Sequence, residues 1–354
     1  MHIAGSRSRQ PRSLAAVFAL ALVPFPLQSQ SAVFDSAVAQ TAHARGAQNA
    51  ALDREVRADM NFLAADELHG RGSATRDEHI AALYIASRFE AFGLAPGGDN
   101  GTFVQRIALP SPLPERAQQR LAHSEDVTRT ETWNAIGILR GAGPAAEVLL
   151  LTAHLDHLGI GAPNAAGDTI YNGADDDASG TSAVLALARA LASGPQPRRT
   201  IVFALFGSEE IGGFGNAGFL AHPPVPLASI VANLEFEMIG RPDPAVPNDA
   251  LWLTGFKRSN LGPELAKHGA LLVPDPHPER NFFARSDNIA LARQGIVAQT
   301  VSSYGLHTDY HQPSDDLSTI DFPHLDHAIS SMIAPIRWLA DTNWKPAWNP
   351  GGKP

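Results

Sequence analysis

The chain has 354 residues, with 27 lysines and arginines against 36 aspartates and glutamates, and it contains no cysteine. Its 44% hydrophobic and 18% charged residues exclude a disordered chain and a coiled coil, and its net charge of −9 argues against general affinity for nucleic acid or anionic membranes. The lack of cysteine excludes disulfides, thiol nucleophiles and cysteine-ligated zinc. Any metal must therefore be bound by histidine, aspartate and glutamate.

The N-terminal segment has the pattern of a secretory signal. Arg7, Arg9 and Arg12 precede the apolar run from Leu14 to Leu27, and a basic flank before such a run is typical of a signal peptide. The run is short and broken by proline, so a retained membrane anchor is the poorer alternative. We expect residues 1–39 to be a signal peptide and leader with an open cleavage site, and the protein to be periplasmic or secreted.

After the leader, hydrophobic periodicity predicts helices that alternate with strands. Apolar residues recur at helical spacing in four segments, 52–63, 82–92, 184–191 and 325–339. Four short, almost continuously apolar runs indicate strands buried on both faces, at 147–154, 200–206, 229–236 and 295–301. This alternation predicts an α/β fold, with a mixed, largely parallel central sheet and helices on both faces. We expect one domain over 50–343 and a loosely held tail at 344–354.

Acids and histidines gather where these predicted strands end, which is where open α/β sheets bind ligands. The motifs are AHLDH with His154 and Asp156, GADDDASG, GSEEIGG, NLEFEMIG with Glu235 and Glu237, and HTDYHQPSDD with His307 and His311. Each motif has an ordinary explanation: aspartates often cap helices, and loop histidines are usually surface residues. Taken together, however, the adjacent acids would repel one another unless a cation offset their charge. The set therefore indicates a metal centre.

These motifs resemble those of the co-catalytic zinc aminopeptidases of the bacterial leucyl aminopeptidase type, whose relatives include glutamate carboxypeptidase II and the glutaminyl cyclases. The resemblance extends from LAADELHGRG (63–72) through ARSDN to HTDYHQPSDDL, and so covers nearly all of the chain after the leader. It implies the fold of that family, which is similar to that of phosphorylases and hydrolases. The stretch from Leu109 to Trp133 is too short for the protease-associated domain of larger members, so no such insertion is expected.

The resemblance also implies two Zn²⁺ ions per chain, for which Co²⁺ or Mn²⁺ could substitute. By motif, His154 and Glu237 would bind one ion, Glu210 and His311 the other, and Asp176 would bridge them. A centre of this kind needs a bridging carboxylate, further acids and imidazoles, and these five residues supply them.

Two further residues receive roles from the same resemblance. Glu209 would be the general base, and Asp156 would orient His154 from outside the ligand shell. Glu235 is the alternative to Glu237 as the ligand on the third strand, because many members carry aspartate at that position.

The implied activity is hydrolysis of the N-terminal peptide bond of a peptide with a free N-terminus. Candidates for its side-chain pocket are Met238, Phe282, Phe283, Tyr304, Leu306, His307 and Tyr310. A carboxypeptidase is an alternative, because Arg71, Arg241, Arg280 and Arg285 lie in predicted loops and could bind a carboxylate. A one-metal glutaminyl cyclase and a non-catalytic binding module are two further candidates. No nucleic acid and no stable membrane partner is expected, and the preferred N-terminal residue and the oligomeric state are left open.

Overall fold

The elements that position the strand-end motifs lie in the C-terminal part of the chain. The computed structural model describes residues 1–2, 50–123, 130–143, 147–247 and 249–354. Contacts divide the chain into Met1–Ala47 and Gln48–Pro354, and every element below belongs to the second unit. The predicted leader 1–39 lies outside the described residues, apart from Met1 and His2. None of the described helices has the length and apolar character needed to cross a membrane.

Eight α-helices occur in the described residues. They are α1, described over 50–63, α2 (Arg76–Ala91), α3 (Glu115–Arg120), α4 (Gly180–Ala192), α5 (Phe214–Ala221), α6 (Leu261–Lys267), α7 (Asn288–Arg293) and α8 (Phe322–Asp341). The start of α2 is set by Thr75, whose side chain accepts a hydrogen bond from Glu78 N. The start of α8 is set in the same way by Asp321, which accepts from His324 N. Both are N-caps that satisfy a backbone donor left free at a helix start.

Eleven strands are described. They are β1 (Ala95–Pro96), β2 (Val104–Ala108), β3 (Glu131–Leu139), β4 (Val148–His154), β5 (Gly159–Ile160), β6 (Ile170–Tyr171), β7 (Thr200–Phe206), β8 (Ile230–Phe236), β9 (Leu251–Leu253), β10 (Leu272–Pro274) and β11 (Ala298–Ser302). Among the described residues, β5 and β6 form a small hairpin and the other nine form one sheet, in the order β1-β3-β7-β4-β8-β11-β9-β10 with β2 beside β3. The neighbours β7, β4, β8 and β11 are parallel, whereas β3 is antiparallel to β7 and β9 is antiparallel to β11.

Alternate residues of the central strands pack on opposite faces of this sheet, as the pleat of a strand requires. On β4, Leu149 and Leu151 join the core formed with α1, α2, α4 and α8. Val148 and Leu150 join the core on the other face, where α5 and α7 pack. Both faces are therefore apolar, which explains the near-continuous hydrophobic runs and confirms the predicted fold class.

The central strands were predicted to within about three residues, but the antiparallel edge was missed. Strand β3 runs through Glu131–Leu139 and pairs with β1, β2 and β7. Its sequence, ETWNAIGIL, contains asparagine, alanine and glycine, which are depleted in strands and hide its hydrophobic pattern. Gly137 is required there because a Cβ atom would lie 2.9 Å from the Phe89 ring of α2.

The C-terminal tail differs from the expectation of a loosely held segment. Trp348 packs against buried residues of both cores and donates a hydrogen bond from Nε1 to Gly295 O at 3.1 Å. The same tryptophan forms an isolated bridge with Ser259. The proline-rich sequence around Trp348 indicates a loose segment, but this side chain holds the tail against the two cores.

Candidate metal centre

The site lies at the carboxyl ends of the four central parallel strands. His154 is the last residue of β4, Glu237 follows β8 directly, and Glu209 and Glu210 follow β7 after a short turn. His311 lies in the loop after β11. Parallel neighbouring strands end at the same edge of a sheet, so motifs far apart in the sequence converge there.

The first group of possible metal ligands is His154, Asp176 and Glu237. One donor atom from each residue lies within 4.8 Å of the others. The closest pair is His154 Nε2 and Asp176 Oδ1, at 3.1 Å. The other ring nitrogen of His154 lies 3.2 Å from Asp156 O, which orients the ring. The structure thus brings Glu237 together with the two residues that the sequence assigned to the same ion.

The second group is built around Asp176 and Glu210. His311 Nε2 lies 3.1 Å from Asp176 Oδ2 and 3.1 Å from Glu210 Oε1. His157 Nδ1 lies 3.0 Å from the same Glu210 oxygen. The two oxygens of Asp176 therefore face different groups, as the carboxylate of a shared ligand should.

Glu235, the alternative ligand, has one carboxylate oxygen engaged by neighbouring groups. Its Oε2 atom accepts hydrogen bonds from Asn288 N at 2.8 Å and from Thr300 Oγ1 at 3.0 Å. Burial, reinforced by repulsion from Asp287 and Glu237, raises the pKa of Glu235 to about 8. The side chain holds α7 against β8 and lies outside both donor groups.

The three consecutive aspartates of the loop before α4 have three different environments. Asp176 belongs to both donor groups, and the Asp176–Asp177 peptide bond is cis. Asp177 accepts from Gly180 N at 3.0 Å and from Met238 N at 3.1 Å. Asp175 accepts from Gly240 N at 2.8 Å. The outer two acids therefore tie the loop to the start of α4 and to the end of β8, and leave the middle one for a cation.

The donors fit a divalent metal by their chemistry as well as their positions. His157 Nδ1, His157 Nε2 and Glu210 Oε1 are buried and make no contact with good hydrogen-bond geometry among the described residues, although His157 Nδ1 and His311 Nε2 lie 3.0 Å and 3.1 Å from this oxygen. Buried polar atoms of this kind are costly unless something pairs with them. Imidazole and carboxylate donors suit Zn²⁺, and also Co²⁺ or Mn²⁺. The two groups can thus accommodate two ions that share Asp176.

The loop that carries Glu209 and Glu210 is held by Asp156. The carboxylate of Asp156 accepts from Glu209 N at 3.0 Å and from Glu210 N at 3.4 Å, and Ser73 Oγ donates to it at 2.5 Å. Asp156 was predicted to orient His154 through this carboxylate, yet the closer contact to that ring comes from its main-chain oxygen. Because backbone amides and a hydroxyl occupy its side chain, Asp156 mainly positions the glutamate pair.

The two adjacent glutamates have pKa values that are shifted in opposite directions. Burial, together with repulsion from Glu210 and Asp287, raises the pKa of Glu209 well above the ordinary range of a glutamate. Burial also opposes the charge of Glu210, but His311 and His157 outweigh it and lower the pKa of Glu210 to about 2. Glu210 is thus a fixed anion, and Glu209 can gain or lose a proton.

A cavity of about 620 Å³ opens onto this centre. Its lining includes Glu209, Glu210, His311, Asp287 and Tyr310. A smaller cavity of about 40 Å³ lies beside Glu237 and is lined by Met238, Trp252, Phe282, Tyr304 and Tyr310, together with Arg285 and several short polar residues. Of the predicted pocket residues, Met238, Phe282, Tyr304 and Tyr310 therefore line a cavity next to the metal centre.

The other predicted pocket residues lie elsewhere. Phe283 is buried in the core on the α5 and α7 face, because its ring packs under Trp348. Leu306 lines neither cavity of the site. His307 lines neither cavity either, since its Nε2 atom lies 3.0 Å from Asp175 Oδ2. The last contact makes His307 a support of the aspartate loop.

Four arginines line the larger cavity, namely Arg116, Arg120, Arg285 and Arg293. The sequence offered four loop arginines as possible carboxylate ligands, and of those only Arg285 lines this cavity. Arg71 is completely buried and donates to main-chain oxygens, including Leu155 O at 3.0 Å. Arg241 pairs with Asp309 at 2.8 Å, and Arg280 lies nearest Glu279. Although the segment 109–133 is short, its helix α3 thus contributes two cations to one wall.

Sequence reasoning missed two residues that the fold brings into the centre. His157 ends the same AHLDH motif, but only the first histidine was assigned. Asp315, the first acid of the final SDD, accepts from Asp175 N at 2.9 Å and from Asp176 N at 3.1 Å. The motif spacing could have flagged His157, whereas nothing in the sequence signals which backbone amides an acid will accept from.

The chain matches one protein family and is similar to several known proteins. The model of peptidase family M28 matches residues 134–335. Leupeptin-inactivating enzyme 1 of Streptomyces exfoliatus is 34% identical over 221 residues, which are 58% of this chain and 48% of that protein. A vacuolar membrane protease of Clavispora lusitaniae is 32% identical over 217 residues, 59% of this chain but 19% of that protein. The chain thus spans less than half the length of these relatives.

Solved structures show the same fold. BSAP, a zinc aminopeptidase from Bacillus subtilis, is 17% identical with a TM-score of 0.61, and the match covers 82% of this chain and 95% of that one. The LapA aminopeptidase of Legionella pneumophila is 18% identical with a TM-score of 0.58, over 83% and 74% of the two chains. Because the family match covers more than half of its length, the chain belongs to peptidase family M28.

Proposed function

We propose that the protein is a metal-dependent aminopeptidase with two divalent ions, zinc in the first instance. The observation that carries this proposal is the pair of donor groups that share Asp176, beside the larger cavity that Glu210 and His311 line. The first group would hold one ion through His154, Asp176 and Glu237. The second would hold another through Asp176, Glu210 and His311. When bound, zinc supplies Lewis acidity and lowers the pKa of a bound water to about 7.

Glu209 has the properties of the general base. It lines the cavity next to Glu210, and its raised pKa brings proton uptake and release closer to neutral pH. In the proposed reaction Glu209 takes the proton of the attacking water and later gives it to the leaving amine. Asp156 keeps the carboxylate in place by accepting from the backbone of both glutamates.

The surroundings of the centre suit a free N-terminus. Glu209, Glu237 and Asp287 are acids that can attract a protonated α-amine. The smaller cavity offers the N-terminal side chain an apolar wall of Met238 and aromatic rings. Its volume of about 40 Å³ is three to four times the ~10–15 Å³ that one water requires. Aliphatic side chains of moderate size are therefore the expected preference.

A carboxypeptidase is the second candidate, and the arginines of the larger cavity favour it. Arginine binds carboxylates by two parallel hydrogen bonds, so Arg116, Arg120, Arg285 and Arg293 could hold a C-terminus. In an aminopeptidase the same arginines would instead bind the far end of a short peptide. The two candidates thus differ in the end of the substrate that must be free.

One assay separates these candidates. Aminoacyl arylamides and N-blocked peptides with a free C-terminus are supplied to the protein, with and without a chelator. We expect cleavage of the arylamides, loss of activity with the chelator and recovery with zinc. Cleavage of the blocked peptides alone would replace the aminopeptidase with the carboxypeptidase. Cyclisation of N-terminal glutamine peptides with one zinc per chain would indicate a cyclase, and full inertness of a zinc-loaded chain would indicate a binding module.

A further inference from the structure

His157 lies at the second donor group but belongs to neither of the ligand sets proposed above. The residue is completely buried, and neither ring nitrogen makes a contact with good hydrogen-bond geometry among the described residues, although Nδ1 lies 3.0 Å from Glu210 Oε1. An imidazole without a well-formed hydrogen bond is poorly compensated for its lost hydration, which is costly in a protein interior. A cation beside it would remove that cost.

The ring of His157 faces the same point as three other donors. Its Nδ1 atom lies 3.0 Å from Glu210 Oε1 and 3.8 Å from Asp176 Oδ2. His311 Nε2 lies 3.1 Å from each of these two oxygens. Donors 2.0–2.2 Å from a tetrahedral zinc ion are separated by about 3.3–3.6 Å. The four separations of 3.0–3.8 Å lie around this range, so small shifts of these side chains would bring the donors to a tetrahedral ion.

The surroundings of His157 keep the ring in this position. Its main chain is fixed on both sides, since His157 N donates to Arg71 O and Ser73 N donates to His157 O, both at 3.1 Å. The opposite side of the ring is closed by Gly173, where a Cβ atom would lie 2.5 Å from His157 Cγ. Gly173 also has a φ of +60°, so the position favours glycine twice over.

We propose that His157 Nδ1 is a fourth protein ligand of the second ion, beside Asp176, Glu210 and His311. This inference rests on the proposed two-metal function. The second site would then be closed by protein donors, whereas the first, with His154, Asp176 and Glu237, keeps a position free. Closed four-ligand zinc sites are typical of structural ions, and open three-ligand sites are typical of catalytic ones. The two ions would thus have unequal roles, and the free position for a water would be at the first site.

X-ray absorption at the zinc edge tests the assignment, because it counts imidazoles around the metal without any need for turnover. The full chain is measured with one and with two equivalents of zinc. The first equivalent should occupy the closed site, with two imidazoles per zinc, and the mean should fall to 1.5 when the second equivalent adds His154. If His157 is not a ligand, the mean stays at one imidazole per zinc at both loadings, and the inference is overturned.

The variant H157N provides the second measurement. Asparagine is also polar but removes the imidazole ligand. We expect tight zinc retention to weaken by more than the ~10–100-fold that loss of an outer-shell partner costs. H79N is the matched control, since His79 stacks on Trp133 away from the centre and should retain both ions. Zinc retention in H157N equal to that of the control would contradict the inference. If H157N does not fold, the X-ray absorption spectra of the wild type alone decide whether His157 is a ligand.

The outcome also separates this inference from the function on which it rests. Two zinc ions and arylamide cleavage with one imidazole per zinc would overturn the role of His157 and leave the proposed function standing. A chain that binds fewer than two zinc ions would overturn both.

Discussion

Glu209 and Glu210 show how two adjacent identical side chains are given different chemistry. Glu210 is held as an anion between two histidines, with its pKa lowered to about 2, whereas burial and neighbouring acids raise the pKa of Glu209. We expect E209Q to bind two zinc ions but to lose about 10²–10⁴-fold in kcat, the usual contribution of a general base. Elemental analysis and steady-state kinetics on an arylamide measure the two effects.

The control for this substitution is E90Q, which changes an exposed glutamate of α2. It should match the wild type in both zinc content and kcat. Activity of E209Q within a few-fold of the control would remove Glu209 from the role of base.

The histidines of the centre predict a proton balance for metal binding. Burial lowers the pKa of His311, but Glu210 and Asp176 outweigh it and raise the value to about 9. Burial likewise opposes the charge of His154, yet hydrogen bonds to Asp156 and Asp176 raise its pKa well above the ordinary value. The raised pKa values favour the protonated form of both rings in the metal-free protein, and a ring that binds zinc must lose its proton.

We expect zinc binding at pH 7 to release at least two protons per chain, and fewer above pH ~9, where the folded-state pKa of His311 is passed. Titration calorimetry in buffers of different ionisation enthalpy measures this number. H311A should release about one proton fewer and should hold less zinc. Unchanged zinc content in H311A would exclude His311 from the ligands.

The start of α4 lies so close to the end of β8 that it leaves no room for a side chain at Gly180. A Cβ atom on Gly180 would lie 2.1 Å from Phe236 O and 2.4 Å from Asp177 Oδ1. Alanine normally stabilises a helix relative to glycine. At this position we expect the opposite, and G180A should destabilise the protein by about 1–3 kcal/mol through overpacking. Urea unfolding measures the loss.

Because β8 continues directly into Glu237, displacement of its end should also weaken zinc retention in G180A. A190G, in the same helix, is the control: it should cost about 1 kcal/mol through helix propensity alone and keep its zinc. A G180A variant as stable as the wild type would refute the close approach of α4 and β8.

At the scale of the whole molecule, one carboxylate connects distant parts of the chain. Glu147, just before β4, accepts hydrogen bonds from Arg198 at 2.6 Å and from Arg199 at 3.0 Å, and it pairs with Lys345 at 3.0 Å. Its hydrogen bonds to Arg198 and Lys345 lower its pKa to about 2. Since the folded pKa lies below the unfolded value of ~4.3, this stabilisation is complete above pH ~4.3 and is lost as the pH falls towards 2.

We therefore expect E147Q to lower the free energy of unfolding by about 1 kcal/mol at pH 7. The difference from the wild type should shrink as the pH falls below ~4.3. Urea unfolding of the metal-free chain at a series of pH values from 7 to 3 measures it, with E90Q as the reference. A difference that is independent of pH would mean that packing, not charge, is the cause.

The sequence predicted correctly the strands whose hydrophobic pattern follows directly from their burial in the sheet. A strand buried on both faces must be apolar along its length, so β4, β7, β8 and β11 were visible in the sequence. Prediction failed where the strand pattern was hidden, as in β3, or where one aromatic side chain decided the outcome, as with Trp348 in the tail.

For the site, the amino-acid sequence by itself determined that strand-end acids and histidines converge, because parallel strands share one carboxyl edge. Only the tertiary structure brings Glu237 into one donor group with His154 and Asp176, while Asn288 and Thr300 donate to Oε2 of Glu235. It alone placed His157 within 3.0 Å of Glu210 and turned His307 towards Asp175. Contacts of this kind depend on how loops close on one another, and no local pattern encodes that closure.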